Sequence, residues 1–244
     1  MSKTKLKTNL IDLIKYYGLN SKDKYKLIVI TGLLGDFDSL EYAQNLSKFI
    51  ELQEEEKIEL LFIGIGSTIG KEKFSKFTGI PPINLKITQN NDLHNKLGIH
   101  KGLDVGLGTW INMLIMLSGI YSSKTIKEVI RGYTGDKDAK EIFQESNQVN
   151  ILNIFKFSGN LFKTTFGEGY LRPFELATYR LINMIEILGN WNDYILDANL
   201  LPQRGATFLL NPNGELIYDY FAKDILSYSE DMREPLKFLS KNLK

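Results

Sequence analysis

Two apolar segments separated by an amphipathic helix pattern most constrain the fold of this chain. Residues 27–30 (LIVI) and 58–65 (IELLFIGI) are nearly continuous apolar runs, which is typical of strands covered on both faces. Between them, five apolar residues recur at helical spacing, with a charged exit after about Gln53: Leu40, Ala43, Leu46, Phe49 and Ile50. Strand, helix and strand at this spacing predict a βαβ unit and hence an α/β fold.

The remaining α/β elements lie on either side of this unit. A short helix that ends at Gly18 precedes it, and the first strand extends over residues 25–31. After it, the pattern predicts a helix over 70–77, a strand over 85–88 and a helical turn over 92–97. The chain closes with a hairpin and a helix: strands 205–210 and 215–221 around a turn at 211–214, then residues 233–242.

About a hundred residues interrupt this alternation. They are mostly helical in pattern, with helices predicted over 110–118, 125–131 and 173–188 and a less certain stretch over 139–157. Pro173 is expected at the first helical position, Glu175 near the positive end of the dipole and Gly189 at the stop. We therefore predict one domain over residues 1–244, with a core at about 24–100 and 204–244. A helical insertion occupies about 101–203.

Composition excludes several kinds of chemistry. The chain has 244 residues and no cysteine, so disulfides and thiolate metal sites are excluded, and only His94 and His100 offer imidazole. No cofactor motif is visible, and we expect neither a cofactor nor a metal. Gly64, Gly66 and Gly70 follow a strand, but their spacing is one residue off a dinucleotide fingerprint, and loop geometry explains them more simply.

Charge and hydropathy bear on partners and location. A formal charge of +1 gives no overall attraction to nucleic acid. The longest apolar run, residues 110–120, is shorter than the roughly 20 residues that span a bilayer, and it predicts a buried helix. Near the start, Asp12 and Lys15 interrupt the apolar residues, unlike a signal peptide. We expect a cytoplasmic protein without a transmembrane segment, with a protein or small-molecule partner, and leave a homodimer open.

Several stretches resemble one known family. They are residues 26–46 (KLIVITGLLGDFDSLEYAQNL), 58–79 (IELLFIGIGSTIGKEKFSKFTG), 205–218 (GATFLLNPNGELIY), 131–136 (RGYTGD) and 172–177 (RPFELA). Together they resemble the peroxiredoxin-like branch of the alkyl-hydroperoxide-reductase/thiol-specific-antioxidant family, in its large cyanobacterial and plastid type. The resemblance implies a thioredoxin-like fold, with a mixed sheet flanked by helices and a large insertion before the C-terminal hairpin.

The resemblance also shows what this chain lacks. The redox-active relatives carry Cys-x-x-Cys at the mouth of the first long helix, and the two positions fall here on Asp36 and Ser39. The arginine that polarises peroxide in many peroxiredoxins falls on Gly205. Arg204 stands one residue earlier, where its side chain is expected to face elsewhere. The cis-proline position of thioredoxins is Ala206. A hydroxyl or carboxylate oxygen does not replace a reversibly oxidisable thiolate, so these departures argue against thiol peroxidase and disulfide reductase activity.

One acidic cluster and two arginines are the candidate binding residues. They are Gly35, Asp36, Asp38, Ser39, Glu41, Arg172 and Arg204. A strand-to-helix switch is where α/β proteins place ligands. Asp38 is also a natural N-cap, and Glu41 would complete a capping box, which favours a structural role for these two residues. Asp36 and Ser39 have no part in that cap, and both readings stay open for them.

Other residues have plainer explanations. Arg131, Arg172, Arg180 and Arg204 could line a pocket with Trp110 and Trp191, but such arginines are more often ion-pair partners and such tryptophans core residues. His94 and His100 are expected in or beside a surface turn, without a role.

The leading hypothesis is a redox-inactive relative with a binding or scaffold role. One alternative is an antioxidant oxidoreductase that uses an external thiol or cofactor. A second is a Mg²⁺-dependent phosphatase of haloacid-dehalogenase type, suggested by Asp36 and Asp38 after a strand. That motif lacks the later strand with paired carboxylates and is weak on its own.

Overall fold

The computed structural model describes residues 2–50, 57–120, 122–151 and 155–243. The strands are β1 (Tyr25–Leu33), β2 (Ile58–Ile65), β3 (Leu85–Thr88), β4 (Gln148–Ile151), β5 (Phe155–Ser158), β6 (Ala206–Leu210) and β7 (Leu216–Phe221). The helices are α1 (Lys3–Tyr17), α2 (Phe37–Phe49), α3 (Thr68–Thr78), α4 (Asp92–Leu97), α5 (Thr109–Ser118), α6 (Ser123–Thr134), α7 (Asn160–Phe166), α8 (Glu175–Gly189), α9 (Trp191–Tyr194) and α10 (Lys237–Asn242).

Five strands form one mixed sheet in the order β3-β2-β1-β6-β7. β1, β2 and β3 run parallel, whereas β6 and β7 run antiparallel to their neighbours. Val29 stands at the centre, paired with Phe62 on one side and with Thr207 on the other. This mixed sheet with flanking helices is a thioredoxin-like α/β fold and confirms the predicted fold class.

Both faces of the sheet are covered. Leu27, Val29 and Leu33 point into the larger apolar cluster, which includes residues of α2 and α3. Ile28 and Ile30 alternate to the other face and pack with Leu10 of α1 and other residues of α1 and α4. Because side chains alternate along a strand, a strand covered on both sides must be apolar throughout. The apolar runs of the sequence therefore have the structural meaning predicted for them.

The helix predictions hold for most elements, with differences at several ends. Gln53, where the sequence ends the first long helix, lies outside the described residues. The closing helix α10 begins at Lys237, later than residue 233. α8 begins at Glu175 after a Phe174 with φ of 64°, so the expectation that Pro173 occupies the first helical position is wrong. The uncertain stretch 139–157 contains β4 and the start of β5.

The expectation that residues 110–120 form a buried helix is wrong. α5 forms, but Trp110 is 51 % exposed and Leu114 is 60 % exposed. Its buried side chains are Asn112 and Met116. Trp110 stacks on Trp191 with ring centroids 5.4 Å apart, and Trp191 itself packs against the larger apolar cluster. The expected core position is therefore wrong for Trp110 alone.

The glycines after β2 serve close packing. A Cβ on Gly64 or Gly66 would lie 2.5 or 2.7 Å from a methyl carbon of Leu34, and one on Gly70 would lie 2.3 Å from the carbonyl oxygen of Asp193. Distances this short exclude a side chain without movement of the neighbour. The steric explanation therefore accounts for all three glycines without a nucleotide.

Candidate functional site

The site expected from the sequence lies where β1 passes into α2. Asp36 is the N-cap of α2, and its Oδ1 accepts a hydrogen bond from the backbone N–H of Ser39 at 2.6 Å. The Ser39 hydroxyl donates to the carbonyl oxygen of Leu33 at 2.8 Å. The predicted cap at Asp38, completed by Glu41, is therefore wrong, because the helix starts two residues earlier than that placement requires. Capping accounts for Asp36 instead.

Asp38 forms a buried ion pair in place of a cap. Its Oδ2 lies 3.2 Å from Nη1 of Arg204, and its Oδ1 accepts the backbone N–H of Leu226 at 2.8 Å. Arg204 also donates to the carbonyl oxygens of Pro202 and Leu201, at 2.8 and 3.1 Å. Arg204 thus faces this site, contrary to the expectation from its position one residue before Gly205.

Gly205 explains why no arginine stands at the next position. A Cβ there would lie 2.5 Å from the carbonyl oxygen of Ile30 in the neighbouring strand. Gly32 opposite is equally confined, with a Cβ placed 2.3 Å from the carbonyl oxygen of Gln203. The two backbones meet too closely for a side chain, so the guanidinium reaches the site from Arg204.

Two carboxyl groups share one guanidinium in this site. Burial raises the pKa of Asp36 above its ordinary value, against the effects of Arg204 and of its hydrogen bonds from Ser39. Burial also raises the pKa of Asp38 to about 7, opposed by Arg204 and reinforced by the charges of Asp36 and Glu41. Removal from water disfavours the charged form of an acid. Asp38 therefore sits close to a change of protonation near neutral pH.

The cavity beside these groups is small. Asp36, Asp38, Arg204 and Tyr42 are among the residues around a space of about 20 Å³. A cavity needs roughly 10–15 Å³ to hold one water, so this space fits about one water molecule. The Tyr42 hydroxyl at its edge is bonded to the Thr207 hydroxyl at 2.9 Å. The side chains around this cavity thus satisfy one another's hydrogen bonds and leave little free space.

Glu41 turns away from this cavity into a second charged cluster. Arg180 of α8 binds it through Nε at 2.7 Å and through Nη2 at 3.1 Å, and the Tyr228 hydroxyl donates to it at 3.1 Å. Arg180 also reaches Glu128 of α6 at 3.0 Å, and Arg131 binds the same carboxylate at 2.6 and 2.9 Å. The alternating charges join α2, α6 and α8 in one buried network.

A comparison with known protein families shows which family this chain belongs to. A family model described as AhpC/TSA antioxidant enzyme matches residues 45–224. The chain belongs to this family. No curated protein and no solved structure matches it. The match begins after Asp36 and Ser39 and covers β2, β3, the insertion and the hairpin, so β1 and the loop that follows it have no part in the match. Within the described residues of this AhpC/TSA family member, no helix has the length and apolar character needed to cross a membrane.

A larger cleft of about 630 Å³ opens on the other side of Glu41. It lies between α2, the insertion and the C-terminal segment. Its lining includes three aromatic rings and four lysines: Phe49, Tyr179, Tyr228, Lys48, Lys137, Lys140 and Lys237. Ligand cavities commonly measure about 300–1,000 Å³. The cleft has the size of a small-molecule site, with an apolar wall and a strongly charged rim.

The candidate residues do not all meet. Asp36, Asp38 and Arg204 surround one cavity, and Ser39 and Gly35 support it, Gly35 by packing against Tyr194. Glu41 lines the larger cleft. Arg172 belongs to neither, because it is buried in the insertion.

Arg172 pairs with Glu175, for which the sequence predicted only a position near the positive end of the helix dipole. The Glu175 carboxylate accepts hydrogen bonds from Arg172 Nη2 at 2.7 Å and from the backbone N–H groups of Ile142 and Phe143 at 2.8 and 2.6 Å. This arrangement makes Arg172 an ion-pair partner within the insertion.

His94 is buried, so its assignment to a surface turn is wrong. Its Nε2–H donates to the carbonyl oxygen of Thr31 at 2.8 Å, and burial lowers its pKa. Leu97 stands one helical turn along the same inward face of α4, a spacing that could have revealed the burial. Within the described segments, no group of three or more His, Asp or Glu side chains is placed to hold a metal ion. The inward-facing Asp36 and Asp38 give no support to the phosphatase alternative.

Proposed function

We propose that this AhpC/TSA family member does not perform thiol redox chemistry and acts by binding a ligand in the cleft beside Glu41. The ligand would be a small molecule that carries an anionic group and an apolar part. The observation behind the proposal is the contrast between two adjacent spaces. The redox position leaves room for about one water, whereas the cleft offers about 630 Å³.

The preference for an anion follows from which charges of the cleft are already paired. Each of its four acidic residues has a basic partner. Glu41 pairs with Arg180 at 2.7 Å and Glu141 with Arg172 at 3.6 Å. Asp138 pairs with Arg233 at 3.3 Å and Glu234 with Lys237 at 2.7 Å. Lys137 and Lys140 are exposed and have no ion-pair partner among the described residues. Two free ammonium groups at the rim favour a carboxylate or phosphate.

The preference for an apolar part follows from the wall. The ring of Tyr179 lies beneath Lys48, whose Nζ is 5.6 Å from the ring centroid, and Leu171 and Leu176 complete this side of the cleft. Aromatic and aliphatic side chains of this kind commonly bury the apolar body of a ligand. An amphipathic anion would satisfy both halves of the lining.

Absence of thiol chemistry is tested by peroxide consumption. Purified protein, freed of metal, is mixed with a hydroperoxide and dithiothreitol, and peroxide loss is followed against a blank without protein. We expect equal rates, because the chain holds no sulfur nucleophile at the redox position. Turnover above the blank that Ser39→Ala abolishes would establish the antioxidant alternative in place of this proposal.

Binding in the cleft is tested with phenyl phosphate as the probe, by calorimetric titration. We expect binding that Lys140→Glu weakens several-fold and that phenol, which lacks the anion, does not reproduce. Lys5→Glu on α1 is the matched control, since it makes the same charge change on an exposed lysine outside the cleft. Identical affinities in both variants, or no measurable binding of phenyl phosphate, would refute the anion site.

A further inference from the structure

The helix α6 buries polar side chains and exposes apolar ones, the reverse of what a helix on a free protein surface shows. Its buried residues are Thr125, Glu128 and Gly132. Thr125 donates its hydroxyl to the carbonyl oxygen of Ile225 at 2.7 Å, and Glu128 belongs to the charged network with Arg180. The inward side of α6 is therefore polar and already satisfied.

The outward side of α6 is apolar. Four side chains spaced as one helical stripe lie on it, between 37 and 56 % exposed: Ile126, Val129, Ile130 and Tyr133. Spacings of three and four residues place them on one face. The stripe continues through the Tyr133 ring, which meets Phe174 edge to face at 6.0 Å. A surface helix usually shows the reverse arrangement, which indicates that something covers this face.

The neighbouring helix has the same character. Residues 105–123 contain no charged residue, and α5 exposes Trp110, Ile111 and Leu114 while burying Asn112. α5 and α6 pack together at their turn, where Gly119 lies against Ile126. We call the outward stripe of α6, with Phe174 and the exposed residues of 105–123, the α5–α6 face.

We propose that the α5–α6 face is covered by the same face of a second copy of this chain, with the two α6 helices antiparallel across a twofold axis. The area is sufficient. At roughly 150–250 Å² for a large side chain, the exposed fractions of the face amount to on the order of 1,000 Å². The largest apolar patch of an ordinary monomer is about 300–600 Å², and each partner of a stable complex buries about 800 Å².

The area and the charge pattern along α6 favour a second copy as the occupant. Lys124 and Lys127 lie exposed in the N-terminal half of α6, and the exposed Asp138 beyond its C-terminal end already pairs with Arg233 at 3.3 Å. An antiparallel pair keeps the lysines of one copy away from those of the other, and it opposes the two helix dipoles. The central stripe is uncharged and pairs with itself at no cost in charge burial.

The test is the mass of the protein in solution, measured by sedimentation over a range of concentrations. We expect a dimer that Ile130→Glu converts to a monomer, because Ile130 lies near the middle of α6, closest to the twofold axis. Tyr16→Glu is the control, since Tyr16 on α1 is 80 % exposed and outside the face. Circular dichroism verifies that both variants are folded.

The absence of cysteine offers a second, independent readout. Ile130→Cys places a single thiol at the proposed axis, and mild oxidation should give a covalent dimer much faster than Tyr16→Cys does. A wild-type protein that stays monomeric, or a dimer that Ile130→Glu leaves intact, overturns the proposal. So does a monomer that binds vesicles containing anionic lipid through this face, and equal oxidation rates of the two cysteine variants would do the same.

Discussion

The sheet core and the insertion differ in how many charged side chains they bury beside apolar ones. Around the sheet, buried residues such as Val29, Phe62 and Phe208 are apolar on both faces. In the insertion, the most deeply buried side chains include Arg172, Glu175 and Asn183, while Ile130 and Leu114 are exposed. The core is held by non-directional burial of apolar surface. The insertion adds a few directional bonds between charged groups to its smaller apolar clusters, and part of its apolar surface remains exposed for other contacts.

This difference separates structure from function within the molecule. The resemblance places the redox cysteines at Asp36 and Ser39, in the core, where Asp36, Asp38 and Arg204 leave space for about one water. Both surfaces proposed here for binding, the cleft and the α5–α6 face, involve the insertion. A closed ion pair between Asp38 and Arg204 is therefore compatible with function elsewhere in the chain.

The largest expected effect tests whether directional bonds hold the insertion. Glu175→Gln removes the charge that faces Arg172 in a fully buried pair. Glu141 stays 3.6 Å from the Arg172 guanidinium but does not replace the two short contacts with Glu175, so we expect a loss of about 3–5 kcal/mol, the usual cost of breaking a buried pair. Chemical denaturation measures this loss. Glu145→Gln is the control, because the pair of Glu145 with Lys163 is exposed and should change stability by less than about 1 kcal/mol.

Hydrogen exchange sharpens the same comparison. Exchange in Glu175→Gln should accelerate in α6 and α8, while amides of β1 and β2 remain protected. Equal acceleration throughout the sheet would mean that core and insertion open as one unit and that the contrast between them has no energetic meaning.

The next effect concerns the buried acids of the core. The pKa of Asp38 rises from an ordinary value near 3.8 to about 7 in the folded protein, mainly through burial. The folded state therefore holds the proton more tightly than the unfolded state. Its contribution to stability is fully present below about pH 4 and is lost as the pH rises through 7. Relative to Asp38→Asn, the wild type should lose up to about 4 kcal/mol across this range.

Unfolding free energies of both proteins at several pH values test this sign. The difference between them cancels the titrating groups that do not interact with Asp38, including His94, whose lowered pKa acts in the opposite direction. A difference that is constant from pH 4 to 8 would show that Asp38 stays ionised in its pair with Arg204.

The smallest effect compares one helix cap from each region. Ser67 caps α3 by accepting the N–H of Gly70 at 2.9 Å, and Ser122 caps α6 by accepting that of Thr125 at 3.1 Å. Each change to alanine should cost about 1 kcal/mol. Thermal melting gives the size, and hydrogen exchange should localise the Ser122→Ala effect to the insertion. A loss of protection in β1 from Ser122→Ala would contradict the separation of the two regions.

Sequence patterns predict the core well and the insertion poorly, for a physical reason. Runs such as 58–65 report burial directly, because apolar side chains are buried in a covered strand. In α6 the same reasoning predicts the wrong buried face, since Ile126 and Ile130 face outward and Glu128 faces inward. Which charges pair, such as Glu41 with Arg180, depends on contacts 139 positions apart in the chain.

In the candidate site, sequence patterns also fail over a distance of only a few residues. The sequence identified Asp36, Asp38 and Ser39 as a cluster, but the helix start differed by two residues, which exchanged the roles of cap and ion-pair partner. The contact of Arg204 with Asp38 depends on the close approach of Gly205 to β1, which spacing alone does not show. The cleft forms where three separate segments of the chain meet, so no local sequence pattern predicts it.

The pairing of β1 with β6 has a consequence for how the chain folds. β6 is the second neighbour of the central strand β1 and follows the insertion in the chain. Contacts to it span long separations, such as the 165 positions between the bonded hydroxyls of Tyr42 and Thr207. β1 therefore gains this neighbour only after the whole insertion has been synthesised. Lengthening such a connection costs little at equilibrium, about 0.6 kcal/mol for each doubling, but contacts this distant slow the search for the native state. Until the hairpin arrives, one edge of β1 is an open template for pairing with other chains, and nascent molecules are most exposed to aggregation during that interval.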